Sequence, residues 1–295
     1  MADVSPFFTP SDDFYRVDTA LLVPKADATA WRLRIHGEGV TREKTLTFDD
    51  LLRRELIERD ITLTCVSNEV GGPYVGNARW IGVRLADLLR ECGVRPPSAG
   101  GPADQLVARS VDGMTIGSPV EDVMDGRDAV LAVGMNGEPL PFDRGFPVRM
   151  LVPGLYGYVS ACKWIEDIEL TTFDDDSYWV KRDWAREAPI KTQSRIDTPK
   201  PFARPNAGTV MVAGVPGPST AASTRSRSAW TTGPGRTPPT RPRTRATPGA
   251  SGPTPGRPPR AATLSPSGRP TVPARCRPRS APGPLRTARA DGIPS

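Results

Sequence analysis

A mixed α+β domain with strands predominating, followed by a disordered tail, is the fold that this 295-residue sequence predicts. Two observations predict the domain. Runs of alternating apolar and polar residues recur between turn pairs such as Asp112-Gly113 and Asn136-Gly137, and only two short stretches space their leucines as a helix does. A third observation predicts the tail. From Pro216 to Ser295 there are 14 arginines, no lysine and one acid, Asp291, so this stretch carries +13 and residues 1–215 carry −7 of the net +6. Pro, Arg, Ser, Thr, Ala and Gly dominate it, Trp230 is its single aromatic, and neither the helical nor the strand period persists there. Such a composition buries too little apolar surface to offset chain entropy.

The elements come in this order. After a Pro-punctuated segment, Phe7 to Pro24, the run WRLRIHG alternates from Trp31 as a half-buried strand does. Thr47 is placed to cap the helix FDDLLRREL, with Leu51, Leu52 and Leu56 on one face. ITLTCVSN, from Ile61, reads as a strand running into a loop, and Gly71, Gly72, Pro73 and Gly76 make the next stretch too broken for an element. Cys65 therefore stands where a strand delivers a side chain to irregular backbone. WIGVRLADLLRECGV reads as a second amphipathic helix around Leu85, Leu88 and Leu89, closed by Gly93. DQLVARSVDGMTIGSP, DAVLAVGMNGEPLP and FPVRMLVP read as strands punctuated by the two turn pairs, and KWIEDIELTTF, from Lys163, as a last strand. The boundaries this implies are a folded domain over 1–187, a linker with the first strand of a truncated second domain over 188–215, and the tail over 216–295.

The four cysteines, Cys65, Cys92, Cys162 and Cys276, show no zinc or redox CxxC spacing and no disulfide framework. Burial is the better reading for Cys92 and Cys162. His36, the single histidine, precedes Gly37, which favours a turn or satisfied core role over catalysis. VGGPYVGN lacks the strand-to-helix setting of a phosphate cradle. The tail has no interleaved aromatics to stack bases, so no nucleic-acid partner is expected despite its charge. With no run of about 18 apolar residues and no basic-then-apolar leader, the chain as written is expected to be soluble and cytoplasmic. A truncated N-terminus would instead imply an extracytoplasmic or membrane-anchored protein.

Three stretches together resemble the sulfite oxidase family: TPSDDFYRVDTALLVP, TLTCVSNEVGGPYVGNARWIGVRLADLL and MNGEPLPFDRGFPVRMLVPGLYGYVSACKW. The resemblance implies a sulfite-oxidase-type molybdopterin-binding domain, and with it a molybdenum-molybdopterin cofactor. By position it implies Cys65 as the thiolate ligand of the metal and the catalytic cysteine, a soft donor for a soft, sulfur-rich centre. It further implies Tyr15, Arg16, Arg149, Ser160 and Lys163 as cofactor-binding residues, the two cations Arg149 and Lys163 suiting a terminal phosphate. Arg144 departs from the pattern, since the family usually writes His before GFPxR, or Asn in its methionine-sulfoxide-reductase branch. At that cofactor-binding position Arg144 either gains a phosphate contact or crowds the site. A second departure is VSNEVGG after Cys65, where sulfite and nitrate enzymes carry arginines. Glu69 argues against a small anion as substrate.

The resemblance also accounts for the tail as a frameshift. Reading GC-rich codons for the 22 residues from Pro216 from the third base of the first codon yields WAQHRGIDKVEVRVDDGPGQD. The same offset from Thr247 yields TWRQWAYAGTPPGSHTLAVRATD. Both strings alternate as strands and resemble the immunoglobulin-like dimerisation domain of sulfite oxidases, so dimerisation is expected to be lost in this form. The expected function is molybdenum-dependent two-electron redox or oxygen-atom transfer on a small sulfur- or nitrogen-containing substrate. Electrons would pass to or from a separate partner, and full-length relatives of this kind can be membrane-associated. The alternatives are a non-catalytic remnant that folds without metal, and a binder of nucleic acid or acidic surfaces acting through the tail.

Overall fold

The computed structural model describes residues 5–200, 202–203 and 212–216, all within one compact unit. The proposed frameshifted stretch beyond Pro216 lies outside the described residues. The strands are β1 (Arg32–Gly37), β2 (Lys44–Thr47), β3 (Ile57–Thr64), β4 (Val75–Arg84), β5 (Gln105–Ser110), β6 (Thr115–Pro119), β7 (Val130–Met135), β8 (Glu138–Pro139), β9 (Arg149–Leu151), β10 (Ile165–Thr171), β11 (Ser194–Thr198) and β12 (Ala213–Pro216). Between them fall four short helices, α1 (Phe48–Leu52), α2 (Leu85–Glu91), α3 (Val120–Met124) and α4 (Gly157–Ser160). The strand-rich α+β expectation holds. Among the described residues, no helix is long and apolar enough to cross a membrane.

One sheet runs β2-β1-β10-β5-β6, with β1 and β10 parallel and the other pairs antiparallel. A second runs β3-β4-β7-β8, with β9 also pairing with β7. Both faces of β7 are covered, which is why AVLAVGM is a continuous apolar run rather than an alternating one. Leu131 joins the larger core, with Leu33 and Ile35 of β1, Leu106 of β5, Ile168 of β10 and Leu85, Leu88 and Leu89 of α2. Val130 and Ala132 join a smaller core, with Phe14, Leu63 and Trp80. The turn pairs behave as their composition requires, with Asn136 at φ 53°, Gly137 at 86° and Gly113 at 84°.

Several expectations need correction. The first helix ends at Leu52; Leu51 is buried, whereas Leu52 and Leu56 are exposed, because β3 begins at Ile57 and strand pairing takes over. Thr47 does cap it, in a reciprocal capping box with Asp50. Residues 80–84, expected to start the second helix, belong to β4, which pairs with β3 and β7 on its two edges and so fixes them as strand. Val75, Gly76 and Asn77 of the Gly-broken loop are strand too. His36 lies within β1, its Nε2 3.0 Å from an Asp167 carboxylate oxygen, a satisfied pair rather than a turn residue. Within 188–215, Ser194–Thr198 is itself a strand, pairing antiparallel with Ala213–Pro216.

Candidate cofactor site

Loops at the ends of both sheets build one cavity, of about 170 Å³, lined by Cys65 and Arg149 from the second sheet's side and by Ser110 of β5 and Ile116 of β6 from the first. β3 stops at Thr64 and the chain turns sharply: Cys65 N donates to the Tyr74 carbonyl at 2.9 Å, and Asn68 N donates to the Cys65 carbonyl at 3.0 Å. That turn leaves Cys65 as a free, half-buried thiol on the cavity wall. Tyr15 reaches the same cavity from the irregular N-terminal segment, stacked on Phe14, whose ring lies against Gly76. A Cβ at Gly76 would stand 2.6 Å from that ring, so the glycine is what lets Phe14 sit on β4.

Three cations line the same cavity. Arg149 opens β9 with its guanidinium 5.3 Å from the centre of the Trp80 ring. Arg144 closes a single 3-10 turn, Phe142–Arg144, and Lys163 sits between α4 and β10. All three are buried, at 6% (Arg144), 7% (Arg149) and 9% (Lys163) exposure, which is exceptional for such side chains. Burial pulls Arg149 down to about 10 and Lys163 down to about 8, and their mutual repulsion adds to the fall at Lys163. Burial also pushes the Tyr15 hydroxyl well above its ordinary range and the Cys162 thiol up to about 12, leaving Cys162 an inert filling group beside the site.

Gly145 and Trp164 lock this cluster. Gly145 adopts φ 112°, and a Cβ there would press on Lys163 at 3.2 Å. Trp164 is held at φ 50°, unusual for a bulky residue, by its indole N–H donating to the Phe142 carbonyl at 2.7 Å. The strained residue thereby ties the Arg144 turn to the backbone that presents Lys163.

Not every residue singled out from the sequence reaches the cavity. Arg16 is exposed and does not line it; its Nε donates to Asp18 at 2.7 Å. Ser160 is buried, but its hydroxyl donates to the Leu155 carbonyl at 3.0 Å and is turned away. Asp18, which lies in the stretch TPSDDFYRVDTALLVP without a role assigned to it there, is the link between the N-terminal segment and the cations. It accepts from Lys163 Nζ at 2.5 Å as well as from Arg16. Burial would raise its carboxyl, but the hydrogen bonds from Arg16 and Lys163 prevail and hold it below the usual range. Trp179 and Trp184, which complete the wall, are likewise unmarked. Their only signal in the sequence is two tryptophans five residues apart in YWVKRDW.

The fit to an anionic, sulfur-rich cofactor can be judged from the donors. Arg144 Nε and Nη2 donate to the Ser11 and Asp12 carbonyls at 3.2 Å, whereas its Nη1 has no hydrogen bond; Asp143 Oδ2 lies 3.5 Å away, an ion-pair separation only. Arg149 Nε is likewise buried and unpaired. Unpaired donors on buried cations suit a phosphate. Among the described residues, no cluster of three His, Cys, Asp or Glu could hold a metal, so Cys65 offers a single thiolate, suited to a metal whose other ligands travel with its cofactor. The residues fit the group.

Fold and cavity together define a class: a strand-rich domain whose cavity gathers buried cations and one free cysteine, an arrangement suited to an anionic metal cofactor. The sequence matches the model of the oxidoreductase molybdopterin binding domain over residues 20–179, and the chain belongs to that family, whose cofactor is molybdenum-molybdopterin. It is 34% identical over 219 residues to mitochondrial sulfite oxidase of Drosophila melanogaster, covering 66% of this chain and 36% of that protein. It is 33% identical over 200 residues to nitrate reductase (NADH) 1 of Oryza sativa subsp. japonica, covering 60% of this chain and 21% of that protein. The chain thus spans 36% of the length of the one relative and 21% of the other. The crystal structure of the sulfane dehydrogenase SoxCD from Paracoccus pantotrophus superimposes with a TM-score of 0.58 at 24% identity, covering 72% of this chain and 59% of that one, and shows the shared fold.

Proposed function

We propose that this chain is a molybdenum-cofactor-dependent oxidoreductase that carries out two-electron redox or oxygen-atom transfer on a small sulfur- or nitrogen-containing substrate. One observation carries the reading: Cys65 opens onto the same cavity as three buried cations, two of which keep unpaired donors. Bound there, the cofactor supplies a metal that exchanges two electrons, while the protein orients it and excludes water. Cys65 gives the thiolate, Arg149 and Lys163 hold the phosphate, and Arg144 adds a further phosphate contact through Nη1. Tyr15 walls the cavity as a neutral phenol. Arg16 acts through Asp18, and Ser160 through the turn its hydroxyl closes. Electrons pass to or from a separate partner.

Elemental analysis of the purified chain tests this reading, with about one molybdenum per chain expected. Replacing Cys65 by Ser is expected to abolish redox activity and lower retained molybdenum. Unchanged activity would remove Cys65 from the metal, and a wild-type chain without molybdenum would make the protein a metal-free remnant. We further propose that a base lost near the Val215 codon replaced a second, dimerising domain with the out-of-frame tail.

A further inference from the structure

We propose that residues 16–26 form a flap through which the cofactor enters, and that Asp18 is its latch, holding Lys163 until a phosphate takes that lysine. The inference rests on the molybdenum-dependent reading above and gives Arg16 and Asp18 a task in loading that site.

Size is the first ground. The cavity holds about 170 Å³, whereas sites for drug-sized ligands run to about 300–1,000 Å³. A metal-bearing pterin with a phosphate is at least drug-sized, so part of the wall has to yield. Most of the wall is fixed. Cys65 follows β3, Ser110 closes β5, Arg149 opens β9 and Gly157 opens α4. The stretch that carries Trp179 and Trp184 is tied down just beyond, where Tyr156 N donates to the Ala188 carbonyl and Ile190 N to the Gly154 carbonyl. Val17, Asp18 and Thr19 line the cavity from a different kind of backbone. Among the described residues, no backbone group of residues 14–26 pairs with backbone elsewhere. Phe14 and Trp31 are buried, and no hydrophobic residue between them is; Leu21 and Leu22 are 99% and 85% exposed. Two side-chain hydrogen bonds pin residues 16–26 to the rest: Lys163 Nζ donates to Asp18 at 2.5 Å, and Thr19 Oγ1 donates to Asp112 at 3.3 Å. Lifting this stretch uncovers no core side chain and breaks no backbone pairing, so it is the part of the wall that opens at least cost.

The second ground is the chemistry of the pin. Asp18 is the cavity carboxylate with a buried side chain, 8% exposed against 37% for Asp143, while Asp112 is exposed. It therefore stands on Lys163 as the inner anion of the site. A phosphate competes for that lysine with two advantages. It carries more charge than a carboxylate, and it can accept from Arg144 Nη1 and Arg149 Nε, which Asp18 leaves unpaired. Asp18 is not stranded when it gives up Lys163, because Arg16 Nε and Nη2 donate to its two oxygens at 2.7 and 3.3 Å. Arg16 is exposed and belongs to the same flap, so the carboxylate passes from a buried partner to an outer one and keeps its charge paired. A ligand without a phosphate offers Lys163 no such replacement and leaves the latch closed.

The test uses the full chain, made in a host that produces no molybdopterin. Trypsin cleavage after Lys25, an exposed residue of the flap, reports how often the flap lifts, with loss of the Lys25–Ala26 bond read by mass spectrometry. Inorganic phosphate is expected to speed this cleavage saturably, by about ten-fold, and chloride of equal ionic strength is not. In Asp18→Asn, cleavage should start at the faster rate and phosphate should add little. Uptake of molybdopterin, read from pterin fluorescence after release, should be about ten-fold faster in Asp18→Asn than in wild type, and Asp18→Glu should restore the slow rate. Thr19→Val removes the outer pin at an exposed position, so it should fold normally and quicken uptake about three-fold. A carboxylate of purely structural importance predicts the reverse, slower uptake once it is replaced. Cleavage indifferent to phosphate, or uptake unchanged or slower in variants that still melt cooperatively, overturns the latch and leaves the molybdenum reading standing. A wild-type chain that takes up no molybdopterin overturns both.

Discussion

Lys163 and Asp18 face each other with side chains 8% exposed on both, where an unpaired charge is costly and a paired one holds its geometry. Arg16 clasps the same carboxylate from outside, so Asp18 fastens the irregular N-terminal segment to the cavity's buried lysine. Asp18→Asn should therefore cost about 3–5 kcal/mol near neutral pH, a fall in Tm on the order of 10 °C. The pH dependence has a definite sign. Asp18 is held below its ordinary range, so its contribution is present above the unfolded carboxylate value and is lost as pH falls through the lower, folded value. Melting curves of wild type and variant should thus lie far apart at pH 7 and converge in acid; a constant gap would show that the charge pair is not the cause. Cys65, Arg149 and Lys163 are legible in the sequence because they lie inside extended motifs. Asp18 lies inside such a stretch too, yet its role is not legible, because nothing around a single carboxylate marks the lysine 145 positions away that it meets.

Strands and turns are easier to read than helices, for a physical reason. Asn136, Gly137 and Gly113 take positive φ, which few residues tolerate, so composition fixes those turns locally. The start of α2 is different: Trp80 to Arg84 have acceptable helical spacing, and only the edges of β3 and β7, distant in sequence, make them strand. Gly82 records that pressure, since a Cβ there would stand 2.1 Å from the Leu131 carbonyl oxygen. Elements also set the site. Gly145→Ala forces a side chain onto a φ of 112° and against Lys163, so molybdenum content should fall by half or more while circular dichroism still reports a folded, strand-rich chain. Full molybdenum in that variant would show that the Arg144 turn does not position Lys163. By contrast, Thr47→Ala removes a capping box remote from the cavity and should cost about 1 kcal/mol without changing molybdenum content.

At the scale of the molecule, β11 and β12 form a two-stranded sheet of their own, apart from both larger sheets. Two paired strands alone are marginal in water, and this pair exposes Ile196 at 63%. It reaches the rest of the described chain through polar contacts with Ser5: Arg195 donates to the Ser5 hydroxyl, and Asp197, which also accepts from Arg195, accepts from Ser5 N. A hairpin with an uncovered apolar side is what the first strands of a larger β domain look like when their partners are missing, and the shifted reading frame supplies two further strand-like strings. Restoring one base at the Val215 codon should therefore yield a chain whose additional strands cover Ile196. If those strands form the dimerising domain that the shifted strings resemble, light scattering should give about twice the mass of one chain for the restored protein and a single-chain mass for the present one. A restored protein that stays monomeric would refute the dimerising role, and a gene that reads through Val215 with no missing base would leave the arginine-rich tail as genuine coding sequence. Its charge of +13 would then need a partner of its own.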